Sequence, residues 1–518
     1  ALNLTGFSST NDIPELDSTI ILLLSGFLSE MDWKASNTNL FPLVDSDELD
    51  SWIKRGILIS KLEKRRNNAI KKLNPAWLDN QEKMESYKEE NNSNEWIDSY
   101  YLDRFGFLPR EIQRVIAQIT WEINDPGLIL LEAPMGVGKT EAALCSAEIF
   151  EKRSIAEGIY FALPTQASTN QIFERVLVWL NSQKRDSKVE LAHSNAWLNP
   201  EYQSVLQGEV ERVKADKSIL NIKEELFAQN IVGTIDRILK MSVKHKYVSL
   251  RHAGIAQKAV IIDEVHACDE FMLVYLKNAL EWLGNYHVPV ILLSATLSKE
   301  CRLSLFHSYL KGKYRTDLTN ISFKAGYPLL TWSDGQEVFS KCDLNPAGEK
   351  EIDLQKYSYD IKDALDEGLF EKLKSNTGCT GIIMATVDGA IKMAFHLQSA
   401  FGSQKEIFLL HNRMLQGHKA QQMERIVEAC GKFSQKTNRE NIIVVSTSIV
   451  EQSLELDFDY LVSQFAPIDF LIQRAGRLHR HSRRRPKEFE RPQMAVLCKG
   501  LENFNEIEIL RRKCSPYP

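Results

Sequence analysis

The sequence lacks any apolar run long enough to cross a membrane. Its longest run, residues 20–24, is soon followed by Glu30 and Asp32, whereas a membrane-spanning helix needs about 20 apolar residues. We therefore expect a buried helix in this segment. The first residue is Ala1, with no basic stretch ahead of the apolar run, so we expect no signal peptide and a sequence that begins inside a longer chain.

Paired cysteine motifs and a large excess of one charge are also absent. The eight cysteines are scattered, with no CxxC pair and no histidine at zinc-ligand spacing. This pattern argues against a structural zinc module and predicts reduced, mostly buried thiols in a cytoplasmic protein. The net charge of −5 argues against coating of nucleic acid by bulk charge. Any path for nucleic acid must therefore be a local groove.

Short aliphatic runs alternate with amphipathic helical stretches in two successive blocks of the 518-residue chain. The runs are residues 128–131, 159–163, 259–262 and 288–293, and then 382–384, 407–410, 442–445 and 460–462. Such runs are typical of parallel strands buried on both faces. We predict two α/β domains, residues 96–315 and 316–500. Before them we expect a helical fragment with a linker (1–95), and after them the start of a C-terminal region (501–518).

A glycine loop follows the first of these runs. It comprises Ala133, Pro134, Met135, Gly136, Val137, Gly138, Lys139 and Thr140 and leads into a helix-forming segment. In such a loop the glycines let backbone N–H groups converge on phosphate oxygens, and the helix N-terminus adds partial positive charge. Lys139 is predicted to reach the β and γ phosphates, and the Thr140 hydroxyl to bind Mg²⁺. Ala133 stands where the general pattern has its first glycine. The loop predicts an ATP site.

Two carboxylates end another aliphatic run. Asp263 and Glu264 follow residues 259–262, at the sheet edge where α/β proteins bind ligands. Asp263 is predicted to complete the Mg²⁺ shell, and Glu264 to take a proton from the attacking water. His266, with Ser294 and Thr296 after a later strand, is predicted to link the nucleotide state to the rest of the domain.

These motifs resemble those of superfamily 2 helicases of the DExH kind over about residues 105–485. The resemblance implies tandem RecA-like domains, each a parallel sheet covered by helices on both faces. It places Gln113 where an adenine-reading glutamine lies. It also implies nucleic-acid contacts by Pro164, Thr165, Gln166, Gly233, Thr234, Thr386 and Thr447, although a single Ser or Thr is more often an ordinary loop cap.

The segment 473–481 is similar to the last helicase motif. By that resemblance Gln473 would orient the attacking water, Arg477 and Arg480 would be arginine fingers that stabilise the γ phosphate, and Asp457 would take part in coupling. The basic run at 483–485 has two open interpretations, contact with DNA phosphates or a solvated loop.

Two segments narrow the family. Residues 451–459 and 473–481 resemble the helicase-nuclease of type I CRISPR interference, and residues 31–37 resemble the closing motif of its HD nuclease domain. The resemblance implies a cytoplasmic, monomeric motor that is recruited by an RNA-guided surveillance complex and moves on the displaced DNA strand. The alternatives are an RNA helicase or a restriction-type translocase with the same core. A scaffold that does not hydrolyse ATP is a third, against which Lys139, Glu264 and Arg477 argue.

Histidine is absent from the first 192 residues, since all eleven histidines occur from His193 onward. An HD nuclease needs several histidines to hold its metal ions. Asp32 is therefore at most one remaining ligand of such a site, and a structural helix carboxylate is the alternative. We expect a divalent transition metal only in a longer parent protein.

Overall fold

A computed structural model describes residues 16–38, 40–73, 94–134, 136–210, 212–214, 222–316, 321–342, 344, 351–358, 365–432, 434, 439–452 and 456–498. Met135 of the predicted phosphate loop and the predicted region 501–518 lie outside these residues. The described residues form two compact units, one within 1–132 and 138–345, the other within 133–137 and 346–518. The α/β prediction is confirmed in both.

The first unit contains a mostly parallel sheet. Its strands are β1 (Pro126–Glu132), β2 (Ile159–Leu163), β3 (Ser187–Ala192), β4 (Val213–Lys214), β5 (Asn230–Thr234), β6 (Ala259–Ile262), β7 (Val290–Ser294), β8 (Leu329–Asp334) and β9 (Glu337–Lys341). Their order across the sheet is β4-β3-β5-β2-β6-β7-β1-β8-β9. Strands β8 and β9 are antiparallel and come after residue 315, so the first unit extends beyond the boundary predicted there.

Helices connect these strands and precede them. They are α1 (Ser18–Ala35), α2 (Ser46–Lys54), α3 (Leu58–Leu73), α4 (Asn94–Phe105), α5 (Glu111–Glu122), α6 (Lys139–Lys152), α7 (Gln166–Ser182), α8 (Pro200–Gln207), α9 (Ile222–Phe227), α10 (Asp236–Leu239), α11 (Val248–Ile255), α12 (Glu270–Asn285) and α13 (Lys299–Tyr314). Side-chain caps fix several starts. Asp269 accepts from Met272 N at 2.7 Å before α12, and Ser298 accepts from Cys301 N at 3.1 Å before α13.

Helix α1 does not have the buried environment expected of it. It packs on α11 at Gly26, where an added Cβ would lie 2.4 Å from the carbonyl oxygen of Ser249. Much of its apolar surface is nevertheless exposed, including Phe27 at 52% and Leu28 at 64%. The expectation of a buried helix was therefore wrong for the described residues, because a strongly apolar segment does not reveal which of its faces has a partner.

The second unit contains a parallel sheet. Its strands are β10 (Asp353–Ser358), β11 (Cys379–Ile383), β12 (Glu406–Leu410), β13 (Ile442–Ser446), β14 (Tyr460–Gln464) and β15 (Gln493–Cys498), in the order β10-β15-β14-β11-β13-β12. Its helices are α14 (Glu367–Ser375), α15 (Val387–Phe401), α16 (Gln416–Cys430), α17 (Ile449–Gln452) and α18 (Ile468–Ala475).

Helices cover both faces of this second sheet. Alternate strand residues enter two separate cores: Ile382 packs with α14 and α15, whereas its neighbour Ile383 packs with α16. Strands buried on both faces explain why the sequence shows continuous aliphatic runs rather than alternation.

The expectation of reduced thiols throughout was wrong for one pair. Cys379 at the start of β11 and Cys430 at the end of α16 form a disulfide across 51 residues of sequence. Both belong to the core between α16 and the sheet, a contact that cysteine spacing does not show. Cys145 and Cys268 are buried free thiols, as expected. Among the helices of the described ranges, none is long and apolar enough to span a membrane.

Candidate nucleotide and nucleic-acid sites

The phosphate loop joins β1 to α6 through two glycines in the left-handed region. Gly136 and Gly138 have φ angles of 79° and 87°, which other residues adopt only with strain. At Gly138 an added Cβ would also lie 2.1 Å from Nε2 of Gln113. The loop therefore requires glycine at this position, and it ends at the N-terminus of α6, where phosphate is stabilised.

Gln113 holds this loop from the preceding helix. Its side chain is 1% exposed. Nε2 donates to the carbonyl oxygen of Gly138 at 3.0 Å, and Oε1 accepts from Arg110 N at 2.9 Å. In this structure one end of the amide holds the loop, and the other caps the start of α5, the helix that contains Gln113. Adenine reading by Gln113 stays a prediction.

Lys139 connects the loop to the end of β7. Its side chain is buried, and Nζ donates to the carbonyl oxygen of Ser294 at 3.2 Å. The Ser294 hydroxyl in turn donates to the carbonyl oxygen of Thr296 at 3.0 Å. Thr140 is also buried, at the first turn of α6. The structure thus brings together the predicted phosphate-binding lysine, the predicted Mg²⁺ ligand and two predicted coupling residues.

His266 continues this network to Glu264, the predicted catalytic carboxylate. Ala295 N donates to its Nδ1 at 3.2 Å, and the Ser294 hydroxyl lies 3.1 Å from the same atom. Because Nδ1 accepts a hydrogen bond, the ring proton of the neutral histidine lies on Nε2. That atom lies 3.3 Å from Oε2 of Glu264. Lys139, Ser294, His266 and Glu264 therefore form one chain of contacts, which we call the coupling network.

Asp263 and Glu264 lie at the carboxyl end of β6 in unusual surroundings. Burial, together with the adjacent Glu264 charge, raises the pKa of Asp263 to about 7, and Lys139 only partly opposes this. Glu264 has a φ of 55°, rare for a residue other than glycine, and its N–H donates to Asp263 Oδ1 at 2.8 Å. Backbone strain of this kind concentrates at functional sites.

A buried carboxyl with a raised pKa is suited to a cation. In the described ranges no group of three or more His, Cys, Asp or Glu side chains is arranged to hold a metal ion. Mg²⁺ commonly binds through one or two protein oxygens with water and substrate phosphates completing the shell. Thr140 and Asp263 fit this manner of binding.

Glu132 was not predicted, although it lies directly before the phosphate loop. Its carboxylate accepts from Leu297 N at 3.0 Å and pairs with Arg302 at 2.5 and 3.0 Å. It thereby ties the segment after β7 to the end of β1. The one local signal was a glutamate at the end of an otherwise aliphatic strand, a position that only a specific partner makes favourable.

The predicted nucleic-acid residues of the first unit follow adjacent strands. Thr165 caps α7, since its hydroxyl accepts from Ser168 N at 3.2 Å. Gln166 donates to the Ser194 hydroxyl at 3.0 Å. Pro164 directly follows β2, and Gly233 and Thr234 end β5, which pairs with β2. The structure brings these residues to one edge of the sheet, and their contacts with nucleic acid stay predictions.

In the second unit, Thr386 and Thr447 also follow strand ends. The Thr386 hydroxyl caps α15 by accepting from Gly389 N at 3.1 Å, so the ordinary capping role weighed for it is present. Thr447 is buried, and its N–H donates to the carbonyl oxygen of Leu410 at 3.3 Å.

Asp457 organises the predicted arginine-finger segment. Gln473 and Arg477 are 2% and 5% exposed. Asp457 is fully buried and accepts from the backbone N–H of Arg480 at 2.9 Å. It also pairs with Arg485 at 2.8 Å. The predicted coupling residue thus fixes the backbone at Arg480, while the finger roles themselves stay predictions.

The basic run at 483–485 is only partly solvated. Arg483 lies 2.7 Å from Asp457, and Arg485 pairs with both Asp457 and Asp459. Arg484 is exposed. Neither of the two interpretations left open describes Arg483 and Arg485, which neutralise buried carboxylates.

Asp32 is exposed on α1, and no metal-binding cluster was found around it or elsewhere in the described chain.

Comparisons with known proteins agree with this geometry. Residues 110–303 match the DEAD/DEAH box helicase family, and residues 376–483 match the C-terminal family of CRISPR-associated nuclease/helicase Cas3. The chain is 34% identical to the CRISPR-associated nuclease/helicase Cas3 of Streptococcus thermophilus, covering 96% of this chain and 53% of that protein.

Solved structures give the same result. T. fusca Cas3 with ADP has a TM-score of 0.78 and 28% identity, covering 96% of this chain and 57% of that one. A chain from a CRISPR RNA-guided surveillance complex, pre-nicking, has a TM-score of 0.67 and 26% identity, covering 96% and 54%.

The fold and site thus define a superfamily 2 helicase with tandem RecA-like domains. More narrowly, the chain belongs to the Cas3 family, as the resemblance predicted, and corresponds to its helicase portion. It spans about half the length of the relatives it matches.

Proposed function

We propose that this chain is an ATP-driven motor that moves along single-stranded DNA in the cytoplasm as part of a type I CRISPR effector. The coupling network is the observation that carries the proposal, because it joins the phosphate-binding Lys139 to the base Glu264 through His266. A glycine turn without a nucleotide role would not need Asp263 and Glu264 beside it.

The residues divide the chemistry as follows. Backbone N–H groups of the phosphate loop and Lys139 bind the β and γ phosphates, and Thr140 and Asp263 would hold Mg²⁺, which would neutralise phosphate charge there. Glu264 takes a proton from the attacking water. Arg477 and Arg480 of the second unit stabilise charge on the γ phosphate, as the family resemblance suggests.

Hydrolysis is coupled to nucleic acid through the first sheet. His266 contacts both Glu264 and Ser294, and Ser294 holds the loop that contains Thr296. A change in the γ phosphate at Lys139 is therefore transmitted to the carboxyl edge of the sheet. Thr165 and Gln166 lie at that same edge and position the nucleic-acid backbone.

The proposed partners come from the relatives. Because one similar chain occurs in an RNA-guided surveillance complex, we include such a complex as the recruiting partner and the displaced DNA strand as the track. Cutting of DNA belongs to a longer protein that includes a nuclease.

The test is the rate of ATP hydrolysis with no polymer, with single-stranded DNA and with single-stranded RNA of the same sequence. We expect stimulation by DNA at least tenfold greater than by RNA, with Lys139→Ala as the inactive control. Equal stimulation by RNA would favour the RNA helicase alternative. A rate of ATP hydrolysis that neither polymer changes would refute the proposed motor function.

A further inference from the structure

Trp197 is an exposed aromatic residue of the first unit. It lies in a single 3₁₀ turn, Ala196–Leu198, between β3 and α8. Its side chain is 55% exposed, which makes it the most exposed tryptophan in the described ranges. Tryptophan is highly buried on average. An indole that stays exposed on an ordered turn is available to bind a partner.

The position of this turn indicates the partner. Strand β3 pairs with β5 and β5 pairs with β2, with Ala192, Gly233 and Ala162 side by side. The segments that follow these three strands thus leave the sheet at the same level. Because neighbouring strands lie about 4.8 Å apart, the three segments span roughly 10 Å. Trp197 follows β3, Thr234 is the last residue of β5, and Pro164, Thr165 and Gln166 follow β2.

Side-chain bonds connect the segment before Trp197 directly to Gln166. The Gln166 amide donates to the Ser194 hydroxyl at 3.0 Å and accepts from Asn195 Nδ2 at 2.8 Å. Asn195 N also donates to Nδ1 of His193 at 3.2 Å, and His193 Nε2 contacts Asn170 of α7 at 2.8 Å. The turn is therefore fixed relative to Gln166.

The turn itself is held from both sides. Leu198 N donates to the carbonyl oxygen of Asn195 at 3.0 Å, and Gln203 Nε2 donates to the carbonyl oxygen of Trp197 at 2.5 Å. Asn199 caps α8 by accepting from Tyr202 N at 2.7 Å. The backbone of Trp197 is thus preorganised while the indole faces solvent, which lowers the entropic cost of binding.

We propose that Trp197 stacks on a base of the single strand whose backbone Thr165 and Gln166 position. The inference rests on the proposed function and adds a base contact to it. Proteins that bind single strands without sequence preference combine backbone contacts with aromatic platforms, because every base has a π-face. Trp197 supplies such a platform for strands of any sequence.

The experiment measures binding of a fluorescent single-stranded DNA by anisotropy, separately from ATP hydrolysis. Trp197→Ala should weaken binding about 5- to 150-fold, and Trp197→Phe should keep it within about threefold. The control is Val178→Ala, which truncates a 63% exposed apolar side chain on α7 and should leave binding unchanged. Hydrolysis without DNA should be the same in all variants if they fold.

A strand of the same length with abasic sites separates stacking from other roles. Wild type and Trp197→Ala should bind it equally, since the strand has no bases to stack. Two results would overturn the proposal. In the first, Trp197→Ala binds abasic DNA more weakly than wild type does. In the second, Trp197→Ala binds normal DNA as tightly as wild type does. The second result would point to a protein partner for the indole. If wild type binds normal single-stranded DNA but its ATP hydrolysis is not stimulated, the proposed motor function is refuted, while the stacking proposal is still tested by the binding data. If wild type does not bind the DNA, both the proposed function and the stacking proposal are refuted.

Discussion

Replacing Glu132 with Gln tests whether a residue absent from the sequence motifs holds the nucleotide site together. Glu132 and Arg302 have side chains that are 3% and 11% exposed. Two hydrogen bonds of 2.5 and 3.0 Å join them, and Glu132 also accepts from Leu297 N. Glutamine keeps the size of the side chain but removes its charge, so the guanidinium of Arg302 stays buried without a counter-ion.

Removal of one partner from a buried ion pair costs about 3–5 kcal/mol. Because the glutamine oxygen can still accept from Leu297 N, we expect a loss nearer 2–4 kcal/mol in the free energy of unfolding. For a domain of this size each kcal/mol lowers the midpoint of thermal unfolding by about 2–4 °C. Glu132→Gln should therefore lower the midpoint by roughly 4–16 °C.

The assay is thermal unfolding followed by circular dichroism, with Glu281→Gln as the matched control. Glu281 pairs with Lys311 in the same unit, but these side chains are 37% and 44% exposed. An exposed pair contributes about 0–1 kcal/mol, so Glu281→Gln should change the midpoint by only a few degrees. Equal midpoints for the two variants would refute the structural role of Glu132.

Three further predictions concern activity. Lys139→Ala should reduce ATP hydrolysis at least about 100-fold because the phosphates lose the lysine that contacts them, and turnover within a few fold of wild type would contradict the phosphate loop. Glu264→Gln should lower kcat about 10²- to 10⁴-fold while nucleotide binding is kept; lost binding with retained turnover would reverse the roles of Asp263 and Glu264. The chain as given should hydrolyse ATP with single-stranded DNA but not degrade DNA with Mn²⁺, Ni²⁺ or Co²⁺, as gel assays would show.

Strands buried on both faces were the most predictable part of the fold. The runs at 128–131 and 259–262 lie within β1 and β6, because a continuous aliphatic run is what burial on both faces requires. The hairpin of β8 and β9 was missed, although Gly335 begins its two-residue turn with a positive φ of 60°, and glycine at this position is a hairpin signal. That hairpin explains why the first unit continues past residue 315.

Local motifs revealed the site residues that are close in sequence. The phosphate loop, Asp263 and Glu264 each follow a strand, so their chemistry can be inferred from a few neighbouring residues. Glu132 and Arg302 are 170 residues apart, and no local pattern connects them. Arg483 and Arg485 are likewise distant in sequence from Asp457 and Asp459, the buried carboxylates that they neutralise. The basic run alone therefore could not predict these ion pairs.

The order of strands in the first sheet explains how the coupling network forms. β6, β7 and β1 are neighbours, so the residues after them converge although they are far apart in sequence. Lys139 follows β1, Ser294 ends β7, and Glu264 follows β6. Strand pairing brings the three segments together, and the left-handed residues Gly138 and Glu264 then set the local path of the chain. The contacts run from Lys139 through Ser294 and His266 to Glu264, so the proposed phosphate-binding lysine and the proposed base are physically linked within one unit.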